Sequence, residues 1–189
     1  MNILVSDDRI TIREMEPTEK DFNQFLKWMT DPETMRFWDG MTVHFTYDQV
    51  VQQYHEHLEE KVSQCFIELD GNPIGYCQFC ELDAEGYDVP EEEWDRFVQA
   101  DDTVYGIDIF IGEVDCRDRG LGTRIMKLLC EALHKKHGAT ALMIDPKTHN
   151  TRAIRCYEKC GFQRLFTVPQ REEQDGVLHD SLIMGMRKA

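Results

Sequence analysis

Two side chains and one short loop carry the chemistry this chain can offer. Asp108 is a carboxylate within the otherwise apolar run Val104, Tyr105, Ile107, Ile109, Phe110 and Ile111. A carboxylate in such a run is costly unless it meets a polar cavity or a cation. It is therefore a candidate to accept a proton or to anchor a cation. Tyr157 carries a phenol with an ordinary pKa of about 10, a group able to donate a proton; the plainer alternative is a core tyrosine with its hydroxyl satisfied. The loop is Arg117-Asp118-Arg119-Gly120-Leu121-Gly122-Thr123. It stands between a strand-like stretch and a helix-like one. The first amides of a helix have no internal partners and sit at its positive dipole end. Gly120 and Gly122 let the backbone come close to a ligand, and Arg117 and Arg119 add charge, so a pyrophosphate fits there. The plainer alternative is an ordinary strand–loop–helix connection that needs glycine for its turn. The loop is not Gly-x-x-x-x-Gly-Lys-[Ser/Thr], and it lacks the three-glycine dinucleotide pattern.

The elements that position these groups are readable from periodicity. Val104 to Ile111 is β-branched and aromatic, as a strand requires. Leu121, Ile125, Leu128, Leu129, Ala132 and Leu133 share one helix face, and Gly138 stops that helix. Asn150 to Gly161 reads as a short helix with Asn150 as N-cap and Gly161 as terminator, which puts Tyr157 two turns beyond Asn150. Upstream, Arg9 to Met15 alternates as a first strand. Thr18 opens a helix whose face is Phe22, Phe25, Leu26 and Met29, with Pro32 ending it. Met35 to Gly40 is a turn or loop. Thr46 to Glu60 is a second amphipathic helix with a Thr46/Gln49 capping box and Val50, Val51, Tyr54 and Leu58 inward. Gln64 to Leu69 and Ile74 to Leu82 form a hairpin about Asp70-Gly71-Asn72-Pro73. Thr140 to Ile144 is a buried strand. Phe162 to Val168 and Val177 to Met186 are closing strands with a charged loop, Gln170 to Gly176, between them. This order predicts one domain over residues 1–189, of α/β (α+β) class, with a mixed, mostly antiparallel sheet flanked by helices.

Charge narrows the partners. Thirty-six acidic against 21 basic residues give a net charge of −15, which disfavours nucleic acid and anionic membranes and suits a cationic substrate. The excess gathers in Asp83 to Asp102, where Arg96 is the one opposing cation and Tyr87, Trp94 and Phe97 are interleaved. Such a run is usually a solvated loop, but its aromatics can pack and give it form. No apolar run reaches the roughly 18 residues needed to cross a membrane, and the N-terminus has no apolar signal region, so a cytoplasmic protein is expected. Seven cysteines are then expected as free thiols. Cys77 and Cys80 fall on opposite faces of a strand, Cys156 and Cys160 have no second pair to complete a zinc site, and His55 and His57 point in different directions. No metal is expected.

Arg-x-x-Gly-x-Gly at Arg117 to Gly122, followed by Asn-x-x-Ala-x-x-x-Tyr-x-x-x-Gly-Phe at Asn150 to Phe162, resembles the GCN5-related N-acetyltransferase family over nearly the whole chain. The resemblance implies that family's fold, with the central strands Val104–Ile111 and Thr140–Ile144 splayed apart. It also implies acetyl-CoA as co-substrate, held by the backbone at Ile109 and Ile111, by Arg117, Arg119, Gly120, Leu121, Gly122 and Thr123, and by Asn150 and Ala153. Phe37-Trp38-Asp39-Gly40, Pro73 to Gln78, Val104 to Asp108, Asp145-Pro146 and Arg152 to Lys159 are similar to the aminoglycoside 6'-N-acetyltransferases, including the acetyltransferase half of bifunctional resistance enzymes. That similarity puts a catalytic carboxylate on Asp108 and a tyrosine acid on Tyr157. It puts drug contacts on Trp38, Gln78 and Asp145, and extends them to Asp39, Tyr76 and Asp108. It makes residues 83–102 a substrate flap carrying Asp88, Glu92 and Trp94. Asp39 stands where relatives often have a small residue, and Phe166 to Asp180 matches only loosely.

The implied activity is acetyl transfer to the 6'-amine of an aminoglycoside, by direct attack in a ternary complex, by a monomer or weak homodimer. Two other readings stand beside it: an acetyltransferase for a polyamine or other small amine, and a non-catalytic acyl-CoA or drug-binding module. A binding module would need neither Asp108 nor Tyr157.

Overall fold

The structure is a computed structural model that describes residues 2–188. In chain order it holds β1 (Ile3–Ser6), β2 (Ile10–Glu14), α1 (Glu19–Met29), α2 (Pro32–Met35), α3 (Tyr47–Glu59), β3 (Ser63–Leu69), β4 (Asn72–Glu81), α4 (Glu91–Phe97), β5 (Val104–Ile111), a 3₁₀ turn at Val114–Cys116, α5 (Leu121–Lys136), β6 (Ala141–Ile144), α6 (Thr151–Cys160), β7 (Gln163–Gln174) and β8 (Val177–Arg187). The hydrogen-bonded strand order is β1-β2-β3-β4-β5-β6-β8-β7. β5 and β6 pair in parallel, whereas β1–β2, β2–β3, β3–β4, β6–β8 and β7–β8 pair antiparallel. The sheet is thus mixed and mostly antiparallel. The β5–β6 register covers Val104–Gly106 against Ala141–Met143 and does not extend to the rest of β5. Among the described residues, no helix is long and apolar enough to cross a membrane. The chain divides into two compact units, Met1–Phe79 with Asp108–Ile125, and Cys80–Ile107 with Met126–Ala189.

In the first unit, α1 starts where Thr18 Oγ1 accepts the amide of Asp21, and it buries Phe22, Phe25, Trp28 and Met29. α3 opens with the complete Thr46/Gln49 capping box. These helices close on Met15, Phe66 and Tyr76 to make one core. The β3–β4 hairpin turns at Asp70 and Gly71, with φ of +51° and +80°. Two positive φ values give the turn that matches strand twist. Within the core, Arg13 lies over the Phe66 ring at 5.0 Å. Its guanidinium reaches Asp21 at 2.6 and 2.9 Å and Glu68 at 2.7 Å. A buried charge requires such partners.

Gly75 marks a close backbone approach that aligns the site-bearing part of β5. A Cβ there would lie 2.3 Å from the Phe110 carbonyl oxygen and 3.1 Å from Ile111 Cα. Neither atom belongs to a flexible side chain, so Gly75→Ala is expected to cost about 1–3 kcal/mol. Thermal melting of that variant should fall by several degrees, on the order of 2–4 °C per kcal/mol for a chain of this size.

In the second unit, α5 buries Met126, Leu129, Cys130, Ala132 and Leu133. It ends near Gly138, whose φ is +71°. β6 is buried at every residue. The acidic segment folds onto this core: Tyr87 and Trp94 pack with Val104, Ala141, Met143 and Ile183. Its far end is fixed by Asp102, which accepts two hydrogen bonds from Arg187 (2.6 and 2.8 Å) and one from Thr140 (2.7 Å).

Several sequence expectations need correction. α1 does stop before Pro32, with Thr30 as C-cap, but Pro32 also starts a helix, because it occupies the first turn after the Asp31 N-cap, where its missing N–H costs nothing. β1, which periodicity did not reveal, pairs with β2. α4 forms inside the acidic segment. Leu58 is 52% exposed: it stands in the last turn of α3, beyond Tyr54, the last buried residue of that helix. Gln170 to Gln174 is strand, not loop. β7 runs through it to a two-residue turn at Asp175 and Gly176, both with positive φ.

Candidate active site

The expected site residues fall in both units. In the first, β4 and β5 carry a hydrogen-bonded chain. Tyr76 is fully buried, and its hydroxyl donates to Gln78 Oε1 at 3.1 Å, with Gln64 Oε1 at 3.5 Å. Gln78 Nε2 then donates to Asp108 Oδ2 at 2.9 Å. The order is set by chemistry: a carboxylate accepts only, so the amide NH₂ must meet Asp108, and its oxygen is left for the phenol. Burial first, then the neighbouring Cys77, Cys65 and Asp108, raise the Tyr76 phenol well above its usual range. Tyr76 therefore remains a neutral donor. Asp108 itself is exposed, which answers the cost of a carboxylate in an apolar strand. The side chain leaves the core and is steered from within it.

Aromatic rings line the same region. Trp38 meets Phe110 edge-on at 4.9 Å and Tyr76 at 6.2 Å, while Tyr76 stacks on Phe110 at 5.7 Å. Phe25 supports Tyr76 from the core at 4.7 Å. Trp38 is half-buried and Asp39, next to it, is exposed.

Beyond β5 the chain makes the 3₁₀ turn and enters the glycine loop. Arg117 donates from Nε to the Ile111 carbonyl at 2.8 Å, and from Nη2 to Thr34 Oγ1 at 2.9 Å and the Gly112 carbonyl at 3.2 Å. It ties the end of β5 to α2. Arg119 is the exposed cation of the loop. Gly120 has φ of +76°, a left-handed conformation that favours glycine. α5 begins at Leu121 and has no acidic residue in its first turn, so the positive end of its dipole is not offset there. Gly122 and Thr123 belong to that turn. Ile109 and Ile111 are half-buried on β5. This stretch fits an anionic pyrophosphate.

The second unit holds the remaining candidates. Asn150 caps α6, its Oδ1 accepting the Ala153 amide at 3.2 Å, and Gly161 ends the helix at φ of +105°. Tyr157 is 8% exposed and lies 6.1 Å from the Phe162 ring. Asp88 is exposed. The Glu92 carboxylate pairs with Arg96 at 2.6 Å on the surface of α4, and Trp94 is a core residue. Asp145 Oδ2 lies 3.4 Å from Arg171 Nε. None of the seven cysteines is in a disulfide. Cys77 faces Cys65 across β3–β4, and a hydrogen bond to Cys65, together with burial, pushes its thiol well up.

Sequence reasoning missed three supports: Gln64, which joins the Tyr76 chain; Thr34, which holds Arg117; and Arg171. Each acts through a tertiary contact that no periodicity or motif encodes.

Residues 17–169 match the family described as the acetyltransferase (GNAT) domain. The aminoglycoside N(6')-acetyltransferase type 1 of Klebsiella pneumoniae is 34% identical over 165 residues, covering 86% of this chain and 78% of that protein. The structure of AAC(6')-Ib in complex with ribostamycin and coenzyme A is similar with a TM-score of 0.75 at 30% identity, covering 96% of this chain and 94% of that one. Spermidine N-acetyltransferase from Vibrio cholerae, at 15% identity and a TM-score of 0.75 over 96% of each chain, shares the fold. With this match running from α1 to β7, the chain belongs to the GNAT family and is an acetyltransferase.

Proposed function

We propose that the chain transfers the acetyl group of acetyl-CoA to the 6'-amine of an aminoglycoside, directly and within one ternary complex. The observation that carries this reading is the Tyr76–Gln78–Asp108 chain. It holds an exposed carboxylate at a fixed angle beside an aromatic wall, which is what an ammonium group on a sugar ring requires.

Each residue then has a task. Asp108 takes the proton that the ammonium must lose before its nitrogen can form the new C–N bond. Tyr157 supplies the proton that the sulfur needs as the C–S bond breaks, and regains one from water. The backbone of Ile109 and Ile111 aligns the acyl arm, and Asn150 and Ala153 border it. Arg119, Gly120, Leu121, Gly122 and Thr123 receive the pyrophosphate at the start of α5, and Arg117 positions that loop. Trp38, half-buried, flanks the sugar, and Tyr76 holds Gln78 from the core. Gln78 orients Asp108, and Asp39, Asp88, Glu92 and Asp145 draw the polycation in, with Trp94 as the flap's internal support. Acetylation turns an ammonium into a neutral amide, which removes a charge the antibiotic needs and confers resistance.

Two measurements test this. Thiol release from acetyl-CoA is expected to show a higher kcat/KM with kanamycin than with spermidine, and the opposite order would replace the reading with a polyamine acetyltransferase. Tyr157→Phe is expected to lower kcat by about 10²-fold, within the usual range for a positioned acid, with the kanamycin KM little changed. A wild-type kcat in that variant would remove Tyr157 from its role.

A further inference from the structure

Arg171 holds the beginning of the acidic segment and the loop after β6 with one side chain. The Asp83–Asp88 turn satisfies its own amides: Tyr87 N–H donates to the Asp83 carbonyl, Asp88 N–H to the Glu85 carbonyl and Gly86 N–H to Asp83 Oδ1. The turn places Asp88 in a left-handed conformation at φ of +51°. The carbonyls of Tyr87 and Asp88 take their hydrogen bonds from Arg171, through Nη2 at 2.5 Å and Nη1 at 3.0 Å. The same guanidinium lies 4.8 Å from the centre of the Tyr87 ring, a cation–π distance. Its Nε faces Asp145 Oδ2 at 3.4 Å, and the side chain is only 12% exposed.

The next residue fixes the strand that carries it. Glu172 accepts from Ser181 Oγ at 2.9 Å and pairs with the buried Lys147 at 2.7 Å. Lys147 bridges Ser181, and the Leu182 amide donates to the Pro146 carbonyl. The Asp145–Lys147 loop and the β7–β8 hairpin are therefore stitched together, and Arg171 projects from that stitch to the flap.

We infer that Arg171 is a specificity-determining positioning residue. It sets the spacing of Asp88 and Asp145, two carboxylates that receive ammonium groups of a polycation, and it shares the charge of Asp145, so that a substrate is selected for ammonium groups at that spacing. The inference rests on the reading of the site given above. Arginine is required because its planar fork makes three directed contacts at once, whereas lysine offers a point charge. A small displacement of either carboxylate then weakens capture of the substrate without touching the reacting atoms.

The test compares wild type with Arg171→Gln and Arg171→Lys, reading kcat, the KM for kanamycin, the KM for acetyl-CoA and the melting temperature. Arg171→Gln is expected to raise the kanamycin KM by roughly 10- to 100-fold, with kcat within about threefold and the acetyl-CoA KM unchanged. Arg171→Lys, which restores charge without the fork, should recover part of the loss. If Arg171→Gln does not fold, Arg171→Lys alone reads the inference, through a several-fold rise in the kanamycin KM. A kanamycin KM equal to wild type, or equal losses for both substrates, would show that Arg171 only stabilises the fold and would overturn the inference. Wild-type enzyme that leaves kanamycin unmodified would instead overturn the aminoglycoside reading itself, before any variant is considered.

Discussion

Asp108→Asn is expected to lower kcat/KM for an aminoglycoside by about 10²–10⁴-fold, the range for a lost general base. Asn keeps the shape of the side chain, and its Oδ1 still accepts from Gln78, which reaches Asp108 at 2.9 Å in the wild type. The change therefore removes the charge and the basicity while leaving the Tyr76–Gln78 chain in place. The pH dependence separates two roles. If Asp108 takes the proton, the deficit falls mainly on kcat and narrows as pH rises, because water then supplies free amine. If Asp108 only anchors the ammonium, the deficit falls on KM and grows less steep as that charge is lost. Steady-state kinetics across pH read both. Activity equal to wild type at every pH would remove Asp108 from the mechanism.

Asp21→Ala is expected to destabilise the protein by about 3–5 kcal/mol, the usual cost of breaking a buried pair from one side. Arg13 and Asp21 are each 3% exposed. The carboxylate accepts both Nη atoms of Arg13 and also the Glu16 amide at 2.9 Å. Glu68, which meets Nε at 2.7 Å, and the Glu14 carbonyl, which accepts from Nη1 at 3.0 Å, remain, but both Nη atoms lose the buried carboxylate that balances them. Thermal melting should drop by roughly 10 °C on the basis of 2–4 °C per kcal/mol. A shift below about 2 °C would show that water enters and replaces the carboxylate.

What could be read from the sequence follows from where each instruction resides. α6 was legible because its signals are local: Asn150 caps and Gly161 adopts the left-handed conformation that ends it. The first hairpin was legible because Asp70-Gly71 lies between two apolar strands. The same dipeptide, Asp175-Gly176, turns β7 into β8 with φ of +53° and +76°. It does not read as a hairpin because Arg171, Glu172 and Glu173 lack the apolar alternation that marks a strand. Their partners are ionic, as with Glu172 and Lys147. β1 has four residues, too few for a period to register. At the site, Asp108, the glycine loop and Tyr157 stood out as unusual groups in regular elements. Gln64, Thr34 and Arg171 did not, since each is an ordinary polar residue until the fold brings it to a particular carbonyl, hydroxyl or carboxylate. The acidic segment shows both sides: its charge was visible, and its aromatics hinted at packing. Its anchoring through Asp102 and Arg187 depends on residues far apart in the chain.

The most direct test of the central claim is the identity of the product. Wild-type protein is incubated with acetyl-CoA and kanamycin, and the product is analysed by mass spectrometry and by NMR of the purified antibiotic. The account predicts one added acetyl group, on the 6'-amine, appearing in step with thiol release. An acetyl group on a different amine, or thiol release without acetylated kanamycin, would contradict it.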